Sequence, residues 1–202
     1  MSQEPSERPV NDNRGFIAVI VGTFLLGGLA YGLSLLLGTP LGPQIAFSGN
    51  DILIGVIATL PLVVFLWWFS NTDIVPISTF RLSQVEFFSN MGFAFTPWRI
   101  VLMAIGAGVS EELLFRGVFQ TWMTTIAPVA VAIIVSNIVF GLLHMRTVLY
   151  AVIAGCVGVY LGVLYEITGN LLTPIITHML YDAIALDYAR RAVADYQAAR
   201  KQ

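Results

Sequence analysis

Few ionisable side chains of this sequence lie well inside its long apolar runs, and they fall in three places. The run Glu111-Glu112-Leu113-Leu114-Phe115-Arg116 sets two carboxylates and a guanidinium inside an otherwise apolar stretch from Ile100 to Ile126. The chain has two histidines, His144 and His178; each lies in an apolar run of its own, and Asp182 follows His178 by four positions. A charge at the centre of a membrane helix costs about 2.5–3.5 kcal/mol, so the first run alone costs roughly 8–10 kcal/mol unless pairing or a water-filled cavity offsets it. A carboxylate and an imidazole facing such a cavity can take a proton from water. A second imidazole, donating from the other side, can stabilise an oxyanion.

Helical geometry divides these residues into faces. Glu112 and Arg116 stand at i and i+4 with the acid N-terminal, the favourable order for a charge pair. Glu111 points about 100° away, over Ala104, Ala107, Gly108 and Phe115, where small residues let another helix approach. Asn137, Gly141 and His144 share one stripe, with Phe140 four residues before His144. Pro174, His178 and Asp182 share another, and an Asp one turn from a His can fix its tautomer. Each residue alone would read as a core polar group joining helices; six of them on three helices point to a shared site. Ser110 and Ser136 lack a base at i+4, so no nucleophile is indicated. Two His and a Glu are legitimate zinc ligands, yet there is no HExxH spacing. Zinc is the weaker reading, and no cofactor is expected.

The elements that must position these groups are membrane helices. Of 202 residues, 57% are hydrophobic and 11% charged, and the mean hydropathy is +0.81. A soluble domain is nearer a quarter charged. The expected fold is an all-α, polytopic helical membrane bundle of about six spans. Residues 1–15 read as a disordered cytoplasmic tail and 16–70 as two N-terminal spans, Phe16 to Leu37 and Ile52 to Phe69. Residues 71–98 read as an interfacial or cytoplasmic segment, either a loop or a short amphipathic helix from Ser83 to Met91. Residues 99–188 form a four-helix core: Arg99 to Ile126, Pro128 to His144, Thr147 to Ile167 and Leu171 to about Tyr188. Residues 189–202 are a polar cytoplasmic tail that prolongs the last helix. Gly158 and Gly162 fit a small-xxx-small helix contact. Cys156, the single cysteine, is expected in the core, and Glu166 at the interface.

Of the ten basic residues, nine fall on segments that six spans would place on one side: Arg8, Arg14, Arg81, Arg99, Arg146, Arg190, Arg191, Arg200 and Lys201. The opposite loops have none, so the positive-inside rule puts both termini in the cytoplasm. The tenth, Arg116, lies within the bundle. The depths look mismatched: Glu111 is about 18 Å along its helix from Arg99, while His144 is about 3 Å from Arg146. The three groups meet only if the third helix starts below the membrane surface or tilts.

Over about residues 99–184 the chain resembles the CPBP family, the CAAX-type prenyl-protein endopeptidases and bacteriocin-processing proteins known as intramembrane glutamic proteases. Their patterns EExxxR, FxxxH and HxxxN or HxxxD stand here as Glu111–Arg116, Phe140–His144 and His178–Asp182, in order on successive spans. The resemblance implies that Glu111 is the general base and shares the catalytic water with His144. It implies that His178 and the residue at Asp182 support the oxyanion, and that Glu112 and Arg116 hold the site together, with Phe140 beside it; Asn137 joins these as a supporting residue on the stripe of His144. An ionised Asp cannot donate to an oxyanion as Asn does, so Asp182 is expected to orient His178. The family implies a membrane-anchored protein or peptide substrate, cut in or near the bilayer; the depth argument and the positive-inside rule put the opening of the site toward the cytoplasm of a cell membrane. The small size and short loops fit a prokaryotic member, whose target would be a precursor peptide, an export signal, a bacteriocin or a regulatory protein. No nucleic-acid partner is expected, and the oligomeric state is left open. The competing functions are a non-catalytic immunity or scaffold protein and a proton-coupled transport component; against the latter, the chain lacks paired halves.

Overall fold

The computed structural model describes residues 13–200. The expected N-terminal tail lies outside the described residues up to residue 12, as do Lys201 and Gln202. The rest is all-helical, and seven helices carry it. Helix α1 is Asn13–Leu37, so residues 13–15, expected in the tail, are already helical. Helix α2 is Gly49–Asn71. It opens on Ser48, whose hydroxyl accepts from the Asp51 backbone N–H and so satisfies one of the orphan donors of the first turn. Helix α5 is Val129–Leu143, α6 is Val148–Thr168 and α7 is Leu172–Ala199.

Three helices, α1, α2 and α6, are long and apolar enough to cross a membrane. Their outward faces carry large exposed apolar side chains such as Phe24, Leu36, Leu60 and Val152, the surface that a bilayer covers. Helix α5 is equally apolar but only 15 residues long. The protein is a helical membrane bundle in which the charge-bearing helices, α4 (Pro97–Glu112) and α7, lie against one another and against α1 and α2.

Helix α3, Val75–Ser89, replaces the Ser83–Met91 helix or loop expected from sequence. Pro76 in its first turn starts it eight residues earlier than amphipathicity suggested, because proline's fixed φ suits that position. It packs on α7, and the Tyr196 hydroxyl reaches Glu86. Phe80 lies edge-on to Phe69 and meets the Tyr150 ring.

The helix that carries both glutamates is not one regular α-helix from Arg99 to Ile126. Helix α4 runs Pro97–Glu112, continues as a π-helix over Leu113–Gln120, and closes with one α-turn, Thr121–Met123. The wider π turns are supported from outside: Thr121 Oγ1 donates to the Arg116 carbonyl and Gln44 Nε2 to the Gly117 carbonyl. Arg99, a surface marker in the depth argument, is buried. It donates to Asn13 Oδ1 and the Ala94 carbonyl and lies over the rings of Phe16 and Trp98. Cys156 is exposed on the outer face rather than in the core, since lipid accepts an apolar side chain as readily as a protein interior does.

Candidate active site

Close approach of α4 to α7 builds the site. A Cβ on Gly108 would stand 2.6 Å from Met179 Cγ and 3.0 Å from its backbone nitrogen, so only glycine lets these helices meet one turn below the glutamates. Glu111 and Glu112 then face His178 directly. Helix α5 ends at His144, which caps it with φ −93° and ψ 10°. There the imidazole turns inward at the same level, against the Phe140 ring at 4.4 Å between centroids.

Glu112 sits at the centre of a fully buried clamp. Its Oε1 accepts from Arg116 Nη1 at 2.8 Å and from His178 Nδ1 at 2.7 Å. Arg116 Nη2 donates to Asn137 Oδ1 at 3.0 Å and to the Gly158 carbonyl at 2.7 Å. Asn137 in turn donates to the Ile133 carbonyl, and the guanidinium lies 5.1 Å from the Phe140 ring centroid. Four segments are thus joined around one cation. Gly158 and Gly162 lie where α5 and α6 pack closely, the helix contact expected of them. A Cβ on either would collide with Asn137, and on Gly162 with Gln120 as well; the missing side chains make room for polar groups.

The second cluster is looser. Glu111 Oε2 stands 3.8 Å from His144 Nε2 and 3.9 Å from His178 Nε2, and Asp182 Oδ2 is 3.5 Å from that same His178 nitrogen. These separations exceed a direct hydrogen bond but fall well inside the ~8 Å beyond which no single bridging water could serve. Glu111 and His144 are 18% and 26% exposed, whereas Glu112 and Arg116 are at 0%. The tautomer of His144 follows from its partner. Nδ1 lies 2.8 Å from the Phe140 carbonyl, which can only accept, so the neutral ring turns an unprotonated Nε2 toward Glu111.

The structure brings Glu111, His144, His178 and Asp182 into one cluster, with Glu112, Arg116, Phe140 and Asn137 behind it. Glu112 makes the short bond to the His178 ring, Asp182 stands farther off at its other nitrogen, and Asn137 accepts from Arg116. Sequence reasoning also missed Tyr150, whose ring lies 6.0 Å from that of His144; only its place three residues into α6 hinted at it. Among the described residues no group of three or more His, Cys, Asp or Glu is arranged to hold a metal ion.

The fold and cluster define a multi-pass helical membrane protein with an acid–histidine site between its helices. Residues 93–184 match the family described as Type II CAAX prenyl endopeptidase Rce1-like. That segment holds all three motifs, so the likeness they carry is borne out there, and the family is one of proteases. An uncharacterized protein of Bacillus subtilis (strain 168), YpbD, is 31% identical over 88 residues. The match covers 42% of this chain and 42% of that relative, well under half the length of each. No solved structure matches the chain.

Proposed function

We propose that the chain is an intramembrane endopeptidase of the glutamic type, cutting a membrane-associated peptide with a water activated by Glu111 and His144. The observation that carries this reading is the convergence of two acceptors, Glu111 Oε2 and His144 Nε2, 3.8 Å apart at the partly exposed end of the site. A water can donate to both at once, which aligns it and polarises its O–H toward the carboxylate. Glu111 takes the proton as the oxygen attacks the scissile carbonyl, and later returns it to the leaving amine. His178 faces Glu112 at one nitrogen and Asp182 at the other, the setting of an imidazolium that donates from both. Its Nε2–H is the donor available to the oxyanion. Glu112 and Arg116 keep this geometry fixed.

The distribution of basic residues supports six spans and cytoplasmic termini; on this reading the site opens to the cytosol of a prokaryotic cell, a source that the small size and short loops favour. The substrate on this reading is a membrane-anchored peptide or protein, prenylated or not. The test is cleavage of membrane-anchored reporter peptides by the purified protein in lipid vesicles. Glu111→Ala and His144→Ala should abolish cleavage while inserting normally, and cleavage should survive strong chelation. Wild-type cleavage by either variant would remove the proposed water chemistry. Loss on chelation, restored by zinc, would replace it with a metal-assisted one. A biological activity that Glu111→Gln leaves intact would favour the scaffold role.

A further inference from the structure

We infer that Tyr150 is a catalytic residue: its hydroxyl donates a second hydrogen bond to the oxyanion that forms when the peptide bond is attacked. The inference rests on the endopeptidase reading and adds to it a group that lies outside the three motifs. Stabilising an oxyanion is work for several donors aimed at one point, and without Tyr150 the cluster is short of them. His178 Nε2–H is one. Asp182 Oδ2 stands 3.5 Å from that nitrogen, where an ionised carboxylate can only accept. Glu111 and the unprotonated Nε2 of His144 are acceptors as well. Arg116 is fully buried, with its two terminal nitrogens bonded to Glu112, Asn137 and the Gly158 carbonyl.

Tyr150 is held where such a donor is needed. Thr147 caps α6, and its Oγ1 accepts from the Tyr150 backbone N–H at 3.1 Å. The capped turn sets the Tyr150 ring 6.0 Å from the His144 ring at 78°, and 6.0 Å from the Phe80 ring at 34°. Contacts with two rings limit the side chain to one place, the condition for a donor that costs no reorganisation during the reaction. A tyrosine packed into a fold usually finds a partner for its O–H. Tyr160 donates to the Ala58 carbonyl and Tyr165 to Gln44 Oε1. The half-buried Tyr150 does not: among the described residues its hydroxyl has no hydrogen-bond partner, and it is not one of the covered side-chain atoms. It is an open, unspent donor beside a catalytic imidazole, with Asp182 and Glu111 within its electrostatic reach.

The step balances with no further proton. The water oxygen bonds to the carbonyl carbon while Glu111 takes the water's proton. The carbonyl π pair moves onto oxygen, where His178 Nε2–H and the Tyr150 O–H receive the charge. When the intermediate collapses the pair returns, the C–N bond breaks, and Glu111 gives its proton to the leaving amine. Tyr150 keeps its own proton throughout.

Tyr150→Phe keeps the ring and removes only the donor, so it should unfold at the wild-type midpoint. With an anchored reporter in vesicles its kcat should fall by about 10²–10³-fold, the usual loss on removing one oxyanion donor. KM should hardly move, since the bond is made only in the transition state. A reporter with a phosphinate in place of the scissile peptide bond presents tetrahedral, anionic oxygens to the same donors. The wild type should bind it at least about 10²-fold more tightly than the parent peptide, and Tyr150→Phe should lose most of that advantage. Unchanged kcat in Tyr150→Phe, or a lower kcat with undiminished phosphinate affinity, overturns the inference and leaves the endopeptidase reading standing. A wild type that cuts no anchored peptide and does not prefer the phosphinate removes that reading, and the role of Tyr150 with it.

Discussion

Glu111 and Glu112 are neighbours in sequence, yet the structure gives them opposite surroundings. Every contact of Glu112 is short: 2.8 Å to Arg116 and 2.7 Å to His178, with the acid and the arginine fully buried. Glu111 touches nothing so closely; its nearest charged partners stand 3.8 and 3.9 Å away, and it is partly exposed. Short bonds in a dry interior define one geometry and hold it. Gaps of a water's reach, open on one side, suit groups that must exchange protons. The contrast teaches that one helical step is enough to separate a structural acid from a chemical one. The α4–α7 approach at Gly108 presents both to the same histidine.

The contrast breaks most sharply at Glu111. Glu111→Gln keeps shape and removes basicity, so kcat should fall by about 10²–10⁴-fold, the usual contribution of a general base, or about 3–5.5 kcal/mol of barrier. Because no short bond depends on this carboxylate, the thermal midpoint of the purified protein should stay within about 2 °C of the wild type. A fall of many degrees would place Glu111 in the clamp as well.

Arg116→Met attacks the other side. It leaves Glu112 buried with one partner fewer, and breaking a buried pair from one side costs about 3–5 kcal/mol. The expected readouts are poor yield and a clearly lower unfolding midpoint in detergent, with activity lost in proportion to folded protein. Pairing it with Glu112→Leu should recover part of the stability but not the activity, since His178 then loses its holder. Full recovery of cleavage in the double variant would show that the clamp does not position the site.

Much of this was legible in the sequence, because membrane helices are read from composition, and i, i+4 spacing reports faces directly. The helical membrane bundle, the Glu112–Arg116 pair and the three motifs all came from local patterns. What escaped reading depends on contacts between distant segments. Nothing local to Glu112 announces His178, 66 residues away, so the nearer Asp182 took its place in the reasoning. The π-helical stretch is supported by Gln44, 73 residues from Gly117. Arg99 looked like a surface charge because Phe16, which covers it beside its neighbour Trp98, comes from another helix. Cys156 was assigned to the core by a rule for proteins in water.

Gly158→Ala is a gentler probe of the clamp. The new methyl would sit 3.1 Å from Asn137 Cγ and 3.2 Å from Arg116 Nη2, against the Asn137 oxygen itself. Overpacking of that kind costs about 1–3 kcal/mol. The unfolding midpoint should fall by a few degrees, and kcat should fall with it, because Arg116 is the post against which Glu112 and His178 are set. A stable Gly158→Ala enzyme with unchanged kcat would mean that α6 gives way without disturbing the site.

The smallest effect is expected at Asp182, and it decides which carboxylate governs His178. The Glu112 bond to Nδ1 is 2.7 Å and buried; the Asp182 approach to Nε2 is 3.5 Å from a side chain that is 26% exposed. An imidazole held at Nδ1 keeps its plane when a distant group at Nε2 changes. Asp182→Asn should therefore alter kcat/KM by less than about tenfold, under about 1.4 kcal/mol. It should slightly help an oxyanion if its amide turns inward, since Asn can donate where ionised Asp cannot. His178→Gln, by contrast, should lose about 10²–10³-fold, the usual loss on removing one oxyanion donor. If Asp182→Asn falls as far as His178→Gln, the ring is governed from its Nε2 side. The boundary between clamp and reactive cluster would then pass through His178 on the side opposite to the one the bond lengths indicate.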